Sequence, residues 1–295
     1  MNIPEQFKKP ILNELNQTND VLQKIIGDTS NDIQSFTQPL IQTFRELPYA
    51  CLLFHAAKSA GTITNNHIKA AGAAEIIALG INRKNHKTDN LLFKEINSLL
   101  IIKGLQSLSE INHTRILQHA TCALELAIEG RIAHLKTSFP TLPEYETIIQ
   151  RKTASWFGFV TATGACLSGT SETDIHTWED IGNNIGCAVH IMHDVYSLRN
   201  ANDVSLCEAA YPLICYVDSL DAESRKNLCE NLASSPTLNQ EIRNAVCNST
   251  VIIDVREKAE YFIETALIFL RKVSNQNQHA LFSTFLNAVR SELYF

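Results

Sequence analysis

The chain has 295 residues, 45% hydrophobic and 19% charged, the balance of a globular protein with a sizeable core. A formal net charge of −6 argues against a nucleic-acid binder. The eight cysteines (51, 122, 166, 187, 207, 215, 229 and 247) form no CxxC pair and mostly sit in apolar runs, so buried free thiols in a reducing compartment are expected, and a structural zinc is not.

The opening stretch, Met1-Asn-Ile-Pro-Glu-Gln-Phe-Lys-Lys-Pro, is polar and lacks an apolar signal-peptide core. No apolar run reaches the roughly 20 residues of a membrane span. A soluble, cytoplasmic protein that does not span a membrane is the expectation. Apolar residues then recur at helical spacing: Leu12, Leu15, Val21, Leu22, Ile25 and Ile26. Asn65-Asn66 separates two such patterns. Ser138-Phe-Pro-Thr-Leu-Pro143 reads as a loop into a helix whose first turn carries Glu144 and Glu146. Ser168-Gly-Thr-Ser-Glu-Thr173 reads as a second loop, and Ser234-Ser-Pro-Thr237 as the end of a helix. Further on, Ala259, Phe262, Ile263, Ala266, Leu267 and Leu270 repeat the helical spacing. Strand alternation with hairpin turns is not evident. A single all-α domain over 1–295, built from ten or more helices, is expected.

Several segments, in order, resemble the trans-polyprenyl (isoprenyl) diphosphate synthase family, most clearly over 33–295. Pro48-Tyr-Ala-Cys-Leu-Leu resembles its Arg-Pro-Leu-Leu stretch, and Ala73-Ala74-Glu75-Ile-Ile the helix before its first motif. Glu129-Gly130 resembles its small residue before a helix break. Tyr145-Glu-Thr-Ile-Ile-Gln-Arg-Lys152-Thr153-Ala154 resembles its Tyr…Lys-Thr-Ala helix. Gly182 and Gly186 match its two glycines of close helix packing, and Tyr261, Ala266 and Leu270 fit its C-terminal helix. The resemblance implies a helical bundle around a deep apolar cavity. At the cavity mouth, two aspartate-rich helices hold Mg²⁺ ions that grip an allylic diphosphate and draw it off as a leaving group.

The reactive positions depart from that pattern. The first aspartate motif needs carboxylates one turn apart to chelate a hard cation. Its positions read Asn85, His86 and Asp89, flanked by Lys84 and Lys87. The basic pair that follows in the family has no counterpart. The second motif reads His193-Asp194-Val-Tyr-Ser197, the family glutamine before it is His190, and the loop lysine between Asp203 and Pro212 is Glu208. Arg45 and Lys152 stand where the resemblance places diphosphate contacts. Gly80 and Ile81 stand where bulky residues in the family floor the cavity, which implies a deep tunnel; ordinary close packing of Gly80 is the competing reading. Imidazole and asparagine replace carboxylate poorly on Mg²⁺, and each weakened transition-state contact typically costs a few kcal/mol.

Three functions stay open on the sequence. The first is a family member deficient in Mg²⁺-dependent ionisation, acting as partner subunit of an active prenyl synthase, as a homodimer or heterodimer, or holding an isoprenoid chain. The second is an active prenyltransferase or terpene synthase with relocated ligands (Asp89, Asp194, Asp203, Glu208), the one case in which Mg²⁺ is expected as cofactor. The third uses His190, His193 and Asp194, an HxxHD pattern, with a transition metal in an HD-type hydrolase on a different helical fold, drawing on His55 and Asp218 or Asp221. His86 and Asp89 could also complete a transition-metal site with that pattern.

Overall fold

The computed structural model describes residues 3–27, 46–82, 91–136, 140–200, 210–234 and 240–292. Every regular element among them is helical. In chain order they are α1 (Glu5–Lys8), a 3₁₀ turn (Lys9–Ile11), α2 (Leu12–Gly27), α3 (Pro48–Ala60), α4 (Asn65–Asn82), α5 (Leu91–Ser109), α6 (Thr114–Lys136), α7 (Leu142–Ile149), a π-turn (Gln150–Ala154), α8 (Ser155–Leu167), α9 (Glu172–Asn200), α10 (Ala210–Ser219), α11 (Ala222–Ser234), α12 (Gln240–Asn248), α13 (Val251–Val273) and α14 (Gln276–Glu292). The all-α expectation holds.

Helix α8 is the axis of the bundle. Every residue from Trp156 to Ala165 is buried, so this helix is apolar on all sides and must be surrounded. Helices α3, α4, α6 and α9 surround it, and α13 packs on the far side of α9. Trp156, Phe157 and Phe159 are core residues, as expected. A smaller second core of Leu198, Leu213, Val217, Leu232, Val246 and Ile252 ties α10–α12 to the end of α9 and the start of α13.

The helix boundaries have local causes. The break before α4 lies at Gly61–Thr64, and Asn65 already belongs to the helix, which corrects its reading as a separator. His67 reaches back from the first turn and accepts the Thr64 amide at 3.0 Å, satisfying a donor that the helix leaves orphaned. Ahead of α7, Thr141 and Glu144 form a capping box, with the Thr141 amide 2.8 Å from Glu144 Oε2. That contact holds the Glu144 carboxyl below the usual carboxylate range. Gly169 takes φ +75° in the loop before α9.

Three further expectations need correction. Leu12 faces outward, while Leu15, Thr18, Leu22 and Ile26 form the inner stripe of α2. Gly130 precedes no break, since α6 runs on to Lys136. Among the described cysteines, Cys51 and Cys187 are buried but Cys122 is exposed.

Candidate functional site

The Lys152-Thr153-Ala154 segment lies within the π-turn that joins α7 to α8. A π-turn inserts one residue into a helix and often marks a functional position. Two glycines let neighbouring helices grip it. A methyl on Gly130 of α6 would lie 2.5 Å from the Lys152 backbone nitrogen. One on Gly186 of α9 would lie 2.7 Å from the Ala154 Cα. Gly182, one turn earlier, sits as tightly against the Phe157 carbonyl. The backbones of α6 and α9 therefore close on the turn from both sides, and its Lys152 and Thr153 side chains reach a buried polar cluster.

The cluster is built from α6, α7, the π-turn, α9 and α10. Tyr145 is its centre and is fully buried. Its hydroxyl donates to Asp194 Oδ2 at 3.0 Å and lies 3.2 Å from His190 Nε2. Thr153 Oγ1 lies 2.6 Å from His190 Nδ1. Lys152 Nζ lies 3.3 Å from His134 Nδ1, and the His134 ring meets the Tyr145 ring edge-on. The single hydroxyl proton of Tyr145 goes to Asp194, so the Tyr145 oxygen accepts from His190 Nε2–H. Nδ1 meets the Thr153 hydroxyl. Both ring nitrogens are engaged.

Asp194 is also engaged. Its Oδ2 accepts the Tyr211 amide at 3.1 Å as well as the Tyr145 hydroxyl. Tyr211 stands in the first turn of α10, so Asp194 caps that helix from the side of α9. It is 3% exposed, and its Oδ1 lies 3.8 Å from His190 Nε2. The Tyr211 hydroxyl donates to Glu146 Oε1 at 3.1 Å, and Lys258 pairs with the same oxygen at 2.9 Å. Burial pushes the Tyr211 phenol well above its ordinary range.

His193 lies on the exposed side of α9, with Nδ1 3.4 Å from Ser197 Oγ. The HxxHD pattern is thus split between an inner pair, His190 and Asp194, and an outer residue. Among the described residues no group of three or more His, Cys, Asp or Glu is placed to hold a metal ion. His55 does not join the pattern. It is fully buried, bonded to the Phe7 carbonyl at 2.6 Å and to Gln278 at 3.0 Å, and stacked on Phe7. Asp221 caps α11, and Asp218 pairs with Arg225.

Arg45, Asn85, His86, Asp89, Asp203 and Glu208 lie outside the described residues. Gly80 serves the packing of α4 on α5, because a methyl there would lie 2.8 Å from both the Asn97 carbonyl oxygen and Ile101 Cγ1. Ile81 is 4% exposed within the main core. Sequence reasoning did not find four participants. His134 completes the cluster. Tyr211 supplies its amide. Arg131 donates to the Ile81 carbonyl near the end of α4. Arg243 is buried and donates to the carbonyls of Leu198 and Arg199 at the end of α9, at 3.1 and 3.2 Å. A buried-looking arginine in an otherwise amphipathic helix was the only available signal for the last.

Known proteins share this architecture. A decaprenyl diphosphate synthase from Rhodobacter capsulatus superposes with a TM-score of 0.85 at 18% identity, over 97% of this chain and 98% of that one. A polyprenyl synthase from Caulobacter crescentus, solved with calcium and isoprenyl diphosphate, also gives 0.85, at 16% identity over 99% of this chain and 100% of that one. A geranylgeranyl diphosphate synthase from Sulfolobus acidocaldarius is 36% identical over 55 residues, which are 19% of this chain and 17% of that protein. The polyprenyl synthetase family model matches residues 96–248, more than half of the chain and the whole of the π-turn and its two glycine grips. The chain belongs to the polyprenyl synthetase family.

Proposed function

We propose that this protein works in isoprenoid metabolism without ionising allylic diphosphates itself, as the partner subunit of an active prenyl synthase or as a holder of an isoprenoid chain. The observation that carries this reading is the state of Asp194. The one carboxylate left in the second aspartate position is buried and spent on Tyr145 and the Tyr211 amide. The residues beside it, His193 and Ser197, bring an imidazole and a hydroxyl where Mg²⁺ needs hard anionic oxygen in near-octahedral array. The described half of the mouth does not fit that ion. The Caulobacter neighbour, solved with calcium and isoprenyl diphosphate, shares the fold, which supports an inherited frame.

Association is supported by exposed aliphatic residues on two neighbouring helices. Helix α5 alternates little in polarity around its circumference, yet Leu92 and Ile102 are exposed on it. The adjoining α6 exposes Ile128, Ile132 and Leu135. Two neighbouring helices with exposed aliphatic residues fit a subunit of like architecture.

The test is turnover of labelled allylic diphosphates of several lengths with isopentenyl diphosphate and Mg²⁺, run beside light scattering and co-purification. The account expects no product from the chain alone, and a dimer, a bound synthase or a bound isoprenoid. Product from the chain alone would support relocated ligands and a working transferase. A monomer that retains neither synthase nor isoprenoid would refute the association.

A further inference from the structure

Two helices of this chain begin at a threonine whose amide is met by the side chain three residues on. Ahead of α7 the pair is Thr141 and Glu144, an ordinary capping box. Ahead of α4 it is Thr64 and His67. The Thr64 carbonyl accepts the amides of His67 and Ile68 at 3.0 and 3.3 Å, so Thr64 stands at the N-cap. Its own amide donates to His67 Nδ1 at 3.0 Å. A titratable base thus takes the place of the usual glutamate or glutamine.

The contacts fix the state of the buried His67 ring. A backbone amide can only donate, and a carbonyl can only accept. Nδ1 faces the Thr64 amide, so it carries no proton. Nε2 lies 3.2 Å from both the Gly164 carbonyl oxygen and Ser168 Oγ, near the end of α8. The ring is therefore neutral, with its proton on Nε2. Among the described residues no charged side chain acts on it; burial and the Gly164 carbonyl are the influences on its proton uptake. Lys58 of α3 is turned to the Pro10 carbonyl, Lys69 of α4 to Glu110, and Cys166 of α8 to His113.

A second proton on this ring must go to Nδ1. The Thr64 hydroxyl, 2.9 Å from Nδ1, can accept it, but the Thr64 amide then loses its acceptor. The new cation also stands in the first turn of α4, against the positive end of the helix dipole. A glutamate in that place keeps its charge down to about pH 4.3, whereas an imidazole takes up its proton from about pH 6.5 downward. We infer that His67 makes the start of α4 an acid-sensitive joint: acid releases the turn at 61–64 from α4, while Nε2–H still ties the ring to α8. His55 is built differently. Its Nε2 meets the Phe7 carbonyl and its Nδ1 the Gln278 side-chain oxygen, so an added proton finds an acceptor on each side. The inference is independent of whether the mouth ionises diphosphates.

Hydrogen exchange read by mass spectrometry on the full chain tests it, with protection taken against unstructured peptides at each pH. From about pH 7.5 to about pH 5, protection over residues 61–68 should fall about tenfold, the effect of a lost helix cap. The start of α7, over residues 141–147, should hold its protection, because Glu144 caps it. His67→Gln supplies an acceptor that does not titrate and should keep residues 61–68 protected throughout. Unchanged protection over 61–68 in the unmodified chain overturns the inference. So does an equal fall over 141–147, or a fall that survives in His67→Gln. Imidazole nitrogen NMR on the unmodified chain keeps the test decisive if His67→Gln does not fold. The Nε2–H form is expected at about pH 7.5, with the loss of protection following the titration of His67. An Nδ1–H form, or a loss of protection at a different pH from that titration, overturns the inference.

Discussion

At the scale of single residues, the cluster around Tyr145 ties His190 and Asp194 into one buried hydrogen-bond network. The Tyr145 hydroxyl serves two buried partners, Asp194 and His190. Tyr145→Phe leaves both short of a contact, and stripping a buried polar group of its partner costs ~1–3 kcal/mol. Chemical denaturation should show a loss in that range with the slope of the transition unchanged. The direction of the Tyr145 bond also predicts a proton on His190 Nε2, which nitrogen NMR shifts would report; a bare Nε2 would mean that Tyr145 donates to His190 instead of Asp194. The sequence made His190 and Asp194 visible as one helical face, because they stand four residues apart. It could not show what that face meets. Tyr145 and Asp194 are 49 residues apart, and the Tyr211 amide belongs to a helix whose start lies beyond the motif. Pairings of that separation depend on packing and leave no local pattern.

At the scale of elements, the π-turn depends on how closely α6 and α9 approach it. Gly186→Ala would set a methyl 2.7 Å from the Ala154 Cα, where only backbone can give way. A loss of ~1–3 kcal/mol in stability is expected, as for overpacked cores. Gly27→Ala, with nothing within 4 Å of the added carbon, should cost nothing measurable. The two melting curves side by side separate packing from helix propensity. The close-packing role of Gly182 and Gly186 was legible from their match to the family. The grip of Gly130 on the same turn was not, because it pairs residues of separate helices. The Gly80 position had two readings in the sequence, and a methyl there would strike the Asn97 carbonyl. Arg243 acts at the same scale, binding α12 to the end of α9. Arg243→Met strands two carbonyls and should cost ~1–3 kcal/mol, with hydrogen exchange rising first in α10–α12, which share the second core.

At the scale of the whole molecule, the helical order and the frame of the family were legible because long amphipathic and apolar helices announce themselves by period. Stability against pH was not legible, because it rests on burial. His55 and His67 are held below the ordinary imidazole range by desolvation. The unfolded chain takes up protons near 6.5 and the fold resists, so their contribution is present above 6.5 and lost as pH falls below it. Glu75 behaves in the opposite sense. Its carboxyl is fully buried, accepts the amides of Tyr49 and Ala50 at 2.8 and 2.9 Å, and is pushed up to about 8 by desolvation. A raised acid contributes stability below its unfolded value of 4.5 and loses it progressively up to about 8. The imidazoles act below 6.5 and Glu75 up to about 8, so between these values the decline with rising pH is that of Glu75. Glu75→Gln keeps an oxygen for the two amides and should flatten the alkaline decline, which denaturation at a series of pH values would record. A decline of equal slope in that variant would assign it elsewhere.

The central claim is that the mouth keeps the frame of a diphosphate site without the carboxylates that make such a site depend on Mg²⁺. Calorimetric titration of a non-reactive allylic thiodiphosphate, with and without millimolar Mg²⁺, tests it most directly. The account predicts that any affinity found is the same in both titrations, because Asp194 is spent on Tyr145 and α10. An affinity that rises by about a hundredfold or more with Mg²⁺, some 2.7 kcal/mol, would contradict it and return the protein to the working synthases.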